Sequence, residues 1–175
     1  MAPGDTQIRR AGPADTRAIA EVIVRGWQAA YRGLVCDAFL DGLSIEGRET
    51  AWRNRFDNDP DGLLAAWLAE ADGRAVGFIG SGPPHDPDVA PPSAEVYSLY
   101  LLPEAWRRGL GTRLLQTAVE HWRGRGAAQL VLWVMEGNSR ARAFYEAQGW
   151  HLDGASQSFA LGDENVPEVR YRRPI

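Results

Sequence analysis

"LLPEAWRRGLGTRLL", Leu101 to Leu115, decides how the rest of this chain is read. An apolar run meets a proline, two arginines, two glycines one residue apart, and then a stretch with helical spacing. Several phosphate-binding devices place glycines at such a strand-to-helix junction. A P-loop requires G-x-x-x-x-G-K-[ST], whose lysine meets the terminal phosphates, and this chain contains no lysine. A dinucleotide fingerprint requires a third glycine, and an acidic residue about twenty residues on. Here Leu114 takes the third position and Leu130 to Val134 is wholly apolar. Two readings remain. One is a short loop whose successive amides point inward at an anion; the other is a tight turn with solvated arginines. In the first, Gly109 and Gly111 clear the approach, and a helix starting near Thr112 adds the positive end of its dipole. Arg107 and Arg108 raise the local potential.

Outward from this junction the chain alternates between two periodicities. "AEVYSLYLL" before it reads as a strand, and Leu110, Leu114, Leu115, Ala118, Val119 and Trp122 after it form one helical stripe. "AQLVLWVM" is a buried strand, and "NSRARAFYEAQ" a short helix closed by Gly149. On the N-terminal side, "TQIRRA" is a first strand and "PADTRAIAEVIVRGWQAAYRG" a helix with Asp15 near its start as a cap. "SIEGRETAWRNRFDN" is a second helical region, and "LLAAWLAEADGRAVGFIGSG" a hairpin turning at "ADG". Two closing strands lie around "WHLDGASQSFAL" and "EVRYRRPI".

No repeat or linker divides the 175 residues, so a single domain over 1–175 is expected, with 1–6 a flexible tail and 81–93 a proline-rich loop. The fold class is mixed α/β. A central mixed, mostly antiparallel, splayed sheet of six or seven strands carries helices on both faces, in the order β-α-α-β-β-β-α-β-α-β-β. Net charge is −4, which gives no general attraction to nucleic acid or anionic membrane. No apolar run is long enough to span a bilayer, and the single cysteine, Cys36, excludes an intramolecular disulfide. A cytoplasmic location is expected, with Cys36 a small buried residue. His85, His121 and His151 have no metal-site spacing, so no metal is expected, and His85 reads as exposed and inert.

Taken together, two segments resemble the GNAT superfamily of acyl-CoA-dependent N-acetyltransferases. The family's strand-P-x-x-[QR]-x-x-G-x-[GA] segment is similar to Leu99 to Thr112, and its N-x-x-A-x-x-F-Y-x-x-x-G-[FW] segment to Asn138 to Trp150. One position departs from the pattern, Trp106 standing at [QR], where backbone geometry rather than the side chain is what an anion needs.

The resemblance implies acetyl-CoA as co-substrate and an amine acceptor, on either a small molecule or a peptide. By this likeness Leu99, Tyr100 and Leu101 offer backbone groups to the pantetheine arm. The backbones of Arg107, Arg108, Gly109, Leu110, Gly111 and Thr112 hold the pyrophosphate, and Asn138, with Ala141 and Phe144 beside it, meets the pantetheine. Tyr145 resembles the general acid that protonates the departing thiolate; its helical spacing alone favours packing beside Phe144. Glu95 is the candidate base, against the reading of an ordinary carboxylate at a strand end. Period-two alternation puts it on one face with Tyr97 and Leu99, and Glu136 is a weaker substitute. Trp27 and Tyr31 resemble positions bordering acceptor pockets. A non-catalytic acyl-CoA-binding protein of the same fold stays open, as does homodimerisation.

Overall fold

The computed structural model describes residues 6–175, so residues 1–5 of the expected tail lie outside it, and Thr6 already opens the first strand. Strands β1 (Thr6–Arg10), β2 (Ala65–Ala71), β3 (Arg74–Gly82), β4 (Ser93–Leu101), β5 (Gln129–Met135), β6 (His151–Leu161) and β7 (Glu164–Pro174) form one sheet. Its order is β1-β2-β3-β4-β5-β7-β6. Only β4 and β5 run parallel, joined by a crossover helix, as parallel neighbours require. Helices α1 (Thr16–Ala30) and α3 (Ile45–Asp57) cover one face, with a one-turn helix α2 (Asp37–Asp41) between them. Helices α4 (Leu110–Gly124) and α5 (Ser139–Ala147) cover the other. The expected element order therefore holds, with α2 added.

Local chemistry fixes these elements. Each helix buries its apolar stripe: Ile19, Val22, Ile23 and Trp27 from α1, and Leu110, Leu114, Leu115, Ala118, Val119 and Trp122 from α4. Asp15 is the N-cap of α1 by position, but its carboxylate bonds no amide of the helix; it accepts from the Gly12 amide at 2.9 Å and the Arg9 guanidinium at 2.7 Å and so braces the preceding turn. The β2–β3 hairpin turns at Asp72 and Gly73, with φ of 51° and 73°. Positive φ at both central residues is what a two-residue turn matching strand twist demands. Cys36, expected inside, is exposed, because it precedes the short α2 at the surface.

The proline-rich loop is shorter than 81–93. Ser81 and Gly82 complete β3 and Ser93 opens β4, so the loop runs over 83–92. Ser81 can continue a buried strand because its hydroxyl donates to the Ala65 carbonyl at 3.1 Å and accepts from the Trp122 indole at 2.9 Å.

This loop is clamped to the sheet. Arg170 on β7, 4% exposed, bonds Asp86 at 2.9 Å and Asp88 at 2.6 Å in the loop, and Asp153 on β6 at 2.7 Å. Trp133 on β5 donates to Asp86 at 2.9 Å, and the Tyr97 hydroxyl donates to the Pro83 carbonyl. Burial by itself would raise the Asp153 pKa, but the Ala155 amide and the Arg170 and Arg172 guanidiniums outweigh it and hold the carboxyl below its usual range.

Removing Arg170 takes from Asp153, 7% exposed, one of its two guanidinium partners, and leaves the Asp86 and Asp88 carboxylates of the loop without theirs. Arg170→Met is expected to cost about 1–3 kcal/mol at pH 7, the loss of charge-assisted bonds to carboxylates that keep other donors or water. Because the folded-state pKa of Asp153 is depressed, its contribution is complete above the ordinary carboxylate pKa of about 3.9 and fades as pH falls below it. The gap between wild type and variant in urea unfolding should therefore narrow on acidification. A gap that is pH-independent contradicts the clamp.

Candidate active site

β4 carries a bulge. Gly80 of β3 pairs with Ser98, but Ser81 pairs with Val96, leaving Tyr97 as the extra residue. At the same place β4 parts from β5, whose pairing covers only Ser93–Gln129 to Val96–Leu132. Beyond it, Trp133 to Met135 pair with β7 alone. The divergence opens a cleft of about 960 Å³ that reaches from the α4 N-terminus to α1, α3 and β7.

The bulge overturns one expectation. Val96, Leu99 and Leu101 belong to the core under α4, while Tyr100 belongs to the core under α1. An extra residue flips the alternation, so Glu95 shares a face with Ser98 and Tyr100, and not with Leu99. The amide of Leu102 donates to Val76 on β3 at 2.9 Å. Strand alternation then turns the backbone groups of Tyr100 toward β3 and those of Leu99 and Leu101 toward the cleft. Tyr100 contributes its ring rather than its backbone. The Leu101 carbonyl is already engaged, accepting from the Trp106 indole at 2.9 Å.

At the junction, Arg107 and Gly109 have φ of 58° and 75°. Alternating left-handed residues fold successive amides into a concave nest. The helix N-cap is Gly109, with no side chain capping the first amides of α4. Among the described residues, the amides of Arg107, Arg108 and Gly109 donate to no protein group. Gly111 has a different task. A Cβ there would stand 3.3 Å from Leu101 and 3.5 Å from Phe144, so its absence lets α4 seat against β4 and α5. Arg107, Gly109, Gly111 and Thr112 border the cleft; Arg108 and Leu110 do not. Leu110 points its side chain into the core, leaving only its backbone for a ligand. Trp106 does more than keep the backbone in shape, since the Arg140 guanidinium lies 4.0 Å over its ring at the cleft's edge.

Asn138 is buried, and its side-chain oxygen caps α5 by accepting from the Ala141 amide at 3.1 Å. Its NH₂, which bonds no protein group among the described residues, is left for a ligand. Ala141, Phe144 and Tyr145 follow along the same wall. Tyr145 is buried, and burial, with a smaller contribution from Tyr100, pushes its phenol well above the ordinary value. Among the described residues its hydroxyl makes no hydrogen bond to protein.

The opposite end is lined by Trp27, Tyr31, Arg48, Trp52 and Arg55 from the α1–α3 face, with Phe159 from β6. Trp27 and Tyr31 meet edge to face at 4.8 Å, so they are both core and wall. The Trp27 indole N–H, buried, has no partner among the described residues. Glu95 is buried here, accepting from the His85 amide at 2.8 Å and lying 3.1 Å from His85 Nδ1. His85 is thus engaged rather than inert. Glu136 is exposed and outside the cleft. Glu168 on β7 was not anticipated: burial, reinforced by the Glu95 charge and opposed by a bond from Gln157, raises its pKa. "NVPEVRYRRPI" gives no local sign of it, because the β7 register against β5 is what brings it in.

A model of the acetyltransferase (GNAT) family matches residues 27–150. The chain belongs to that family. Probable N-acetyltransferase Rv2775 of Mycobacterium tuberculosis is 32% identical over 98% of this chain and 95% of its own length. Among solved structures, PaiA N-acetyltransferase of Thermoplasma acidophilum, in complex with coenzyme A, superposes with a TM-score of 0.79 at 20% identity, over 98% of this chain and 99% of that one. The yncA protein of Salmonella typhimurium, solved with its cofactor acetyl-CoA, gives a TM-score of 0.72 at 19% identity, over 97% of this chain and 94% of that one. As a GNAT member the protein is an acyltransferase with acetyl-CoA as co-substrate. The open amides and the divergent strands fit a diphosphate and an amide-bearing arm.

Gly109→Val places a β-branched residue at φ 75° and should disturb the nest more than the core. At a hundred times its Kd, coenzyme A is expected to stabilise the wild type by about 2.7 kcal/mol. The variant should keep its far-UV circular dichroism and lose most of that shift in thermal melts. An undiminished shift would remove Gly109 from the cradle.

Proposed function

We propose that the protein acetylates a primary amine, on a small molecule or a peptide, by direct attack on acetyl-CoA. The observation that carries this is a single cleft with open amides at one end, an unbonded phenol in the middle, and at the other a buried carboxylate, Glu95, with half-buried Glu168 beyond it. Cys36 does not border the cleft, in keeping with transfer that forms no acyl-enzyme.

The residues divide the work. Amides of Arg107 to Thr112 hold the diphosphate, and the cleft-facing backbone of Leu99 and Leu101 aligns the pantetheine as an added strand would. The Asn138 NH₂ adds a donor from the far wall. Attack expels a thiolate, and Tyr145 supplies its proton. The raised pKa keeps the phenol protonated throughout the physiological range. Glu95 furnishes the basic end, which is needed because an ammonium of pKa about 10 is only about 0.1% neutral at pH 7. Two carboxylates, Glu95 and Glu168, favour a cationic acceptor, and the aromatic wall around Trp27 and Tyr31 packs its apolar part.

A screen of amines, peptides and aminoglycosides, read as thiol release from acetyl-CoA, should find acceptors. Tyr145→Phe should lower turnover by roughly 10²-fold or more, with coenzyme A binding retained. An unchanged rate would remove Tyr145 as the acid. Saturable coenzyme A binding without turnover on any amine would favour a non-catalytic acyl-CoA-binding protein instead.

A further inference from the structure

We propose that the proton acceptor is the Nε2 atom of His85, with Glu95 acting through it as a positioning residue. This rests on the acetyltransferase reading above and refines its basic end. Glu95 Oε2 receives both the backbone amide of His85, at 2.8 Å, and the approach of its ring Nδ1, at 3.1 Å. An ionised carboxylate can only accept, so the proton of a neutral imidazole sits on Nδ1 and the lone pair on Nε2. The carboxylate is the inner member of the pair, 9% exposed, and the imidazole the outer, 67% exposed. Both border the acceptor end of the cleft.

The loop is built to hold this ring. On one side of His85, Pro83 is tied to the Tyr97 hydroxyl; on the other, Asp86 is tied to Trp133 and Arg170. The ring lies 4.7 Å from that of Tyr97. Glu95 and Tyr97 on β4 face the imidazole. Arg55 on α3 lies over Tyr97 at 5.7 Å, and Glu168 on β7 is close enough to feel Glu95. Asp86 is the neighbour in the loop, its charge engaged by Arg170.

Energetics favour the ring over the carboxylate. From an ammonium of pKa about 10, proton transfer to an ordinary imidazole of about 6.5 is roughly 10²-fold less uphill than transfer to an ordinary glutamate of about 4.3. In the reaction, Nε2 takes one proton from the ammonium. The freed nitrogen lone pair forms the N–C bond to the thioester carbonyl, and the C–S bond breaks as the carbonyl re-forms. Tyr145 protonates the sulfur, and the second proton lost by the nitrogen restores the phenol. The first proton leaves the imidazolium for solvent, so one amide, one thiol and one proton are released per ammonium consumed.

His85→Ala isolates the ring, because the backbone amide that anchors Glu95 remains. We expect kcat to fall by about 10²-fold or more, KM for acetyl-CoA to hold, added imidazole to restore part of the rate, and the acid limb of the kcat/KM profile to vanish. In Glu95→Gln, loss of the negative charge disfavours the imidazolium, so that limb should move to lower pH. Nitrogen-15 shifts of the His85 ring in the free wild-type protein should show the proton on Nδ1. Wild-type kcat in His85→Ala, a loss that imidazole does not restore, or a proton on Nε2 would each overturn the assignment while leaving the acetyltransferase reading intact. A wild type that turns over no amine at all would overturn both.

Discussion

The structure depends on one interrupted pairing. β4 and β5 are bonded through Val96 and Leu132 and then separate, and the separation coincides with the extra residue at Tyr97. Unpaired backbone is costly when buried away from partners, so a sheet split in its middle is stable only if something else takes up those groups. Here the Leu101 carbonyl takes the Trp106 indole, and the remaining edge opens on the cleft. The bulge has a second effect. By reversing which face each following side chain occupies, it sends Leu99 and Leu101 under α4 and Tyr100 under α1. The cleft is thereby floored by side chains that belong to both cores.

Around this opening, charge is arranged by depth. Arg107 and Arg108 are exposed beside the open amides at the start of α4. At the other end Glu95 is buried and Glu168 half-buried, and each carboxylate has a donor: the His85 amide for Glu95, Gln157 for Glu168. The proline-rich loop supplies one of these donors. It holds its place through Arg170, whose guanidinium joins the loop to the last two strands. A surface loop thus becomes part of the site's wall through a charge set deep in β7.

Sequence periodicity made the elements legible because burial imposes it: the stripes of α1 and α4 and the positive-φ turn at Asp72–Gly73 are local consequences of local residues. The nest of open amides was legible for the same reason, since Gly109 and the α4 N-terminus are adjacent in the chain. What could not be seen depended on contacts across the sheet. The phase reversal at Tyr97 needs the β3 register. Glu168 enters the cleft only through β5–β7 pairing, and the His85–Glu95 contact only through a loop held by Arg170. The short α2 and the exposure of Cys36 escaped because "CDAFLDG" is too brief to carry a period.

The central claim is that main-chain amides at the start of α4 receive the diphosphate of the co-substrate while β4 and β5 stay apart to admit its arm. Titrating nitrogen-15-labelled protein with coenzyme A and following each backbone amide tests this most directly. The account predicts that the largest shifts fall on Arg107 to Thr112, with further shifts at Leu99, Leu101 and Asn138. Saturable binding that leaves the Gly109 and Gly111 amides unmoved and shifts another surface instead would contradict it.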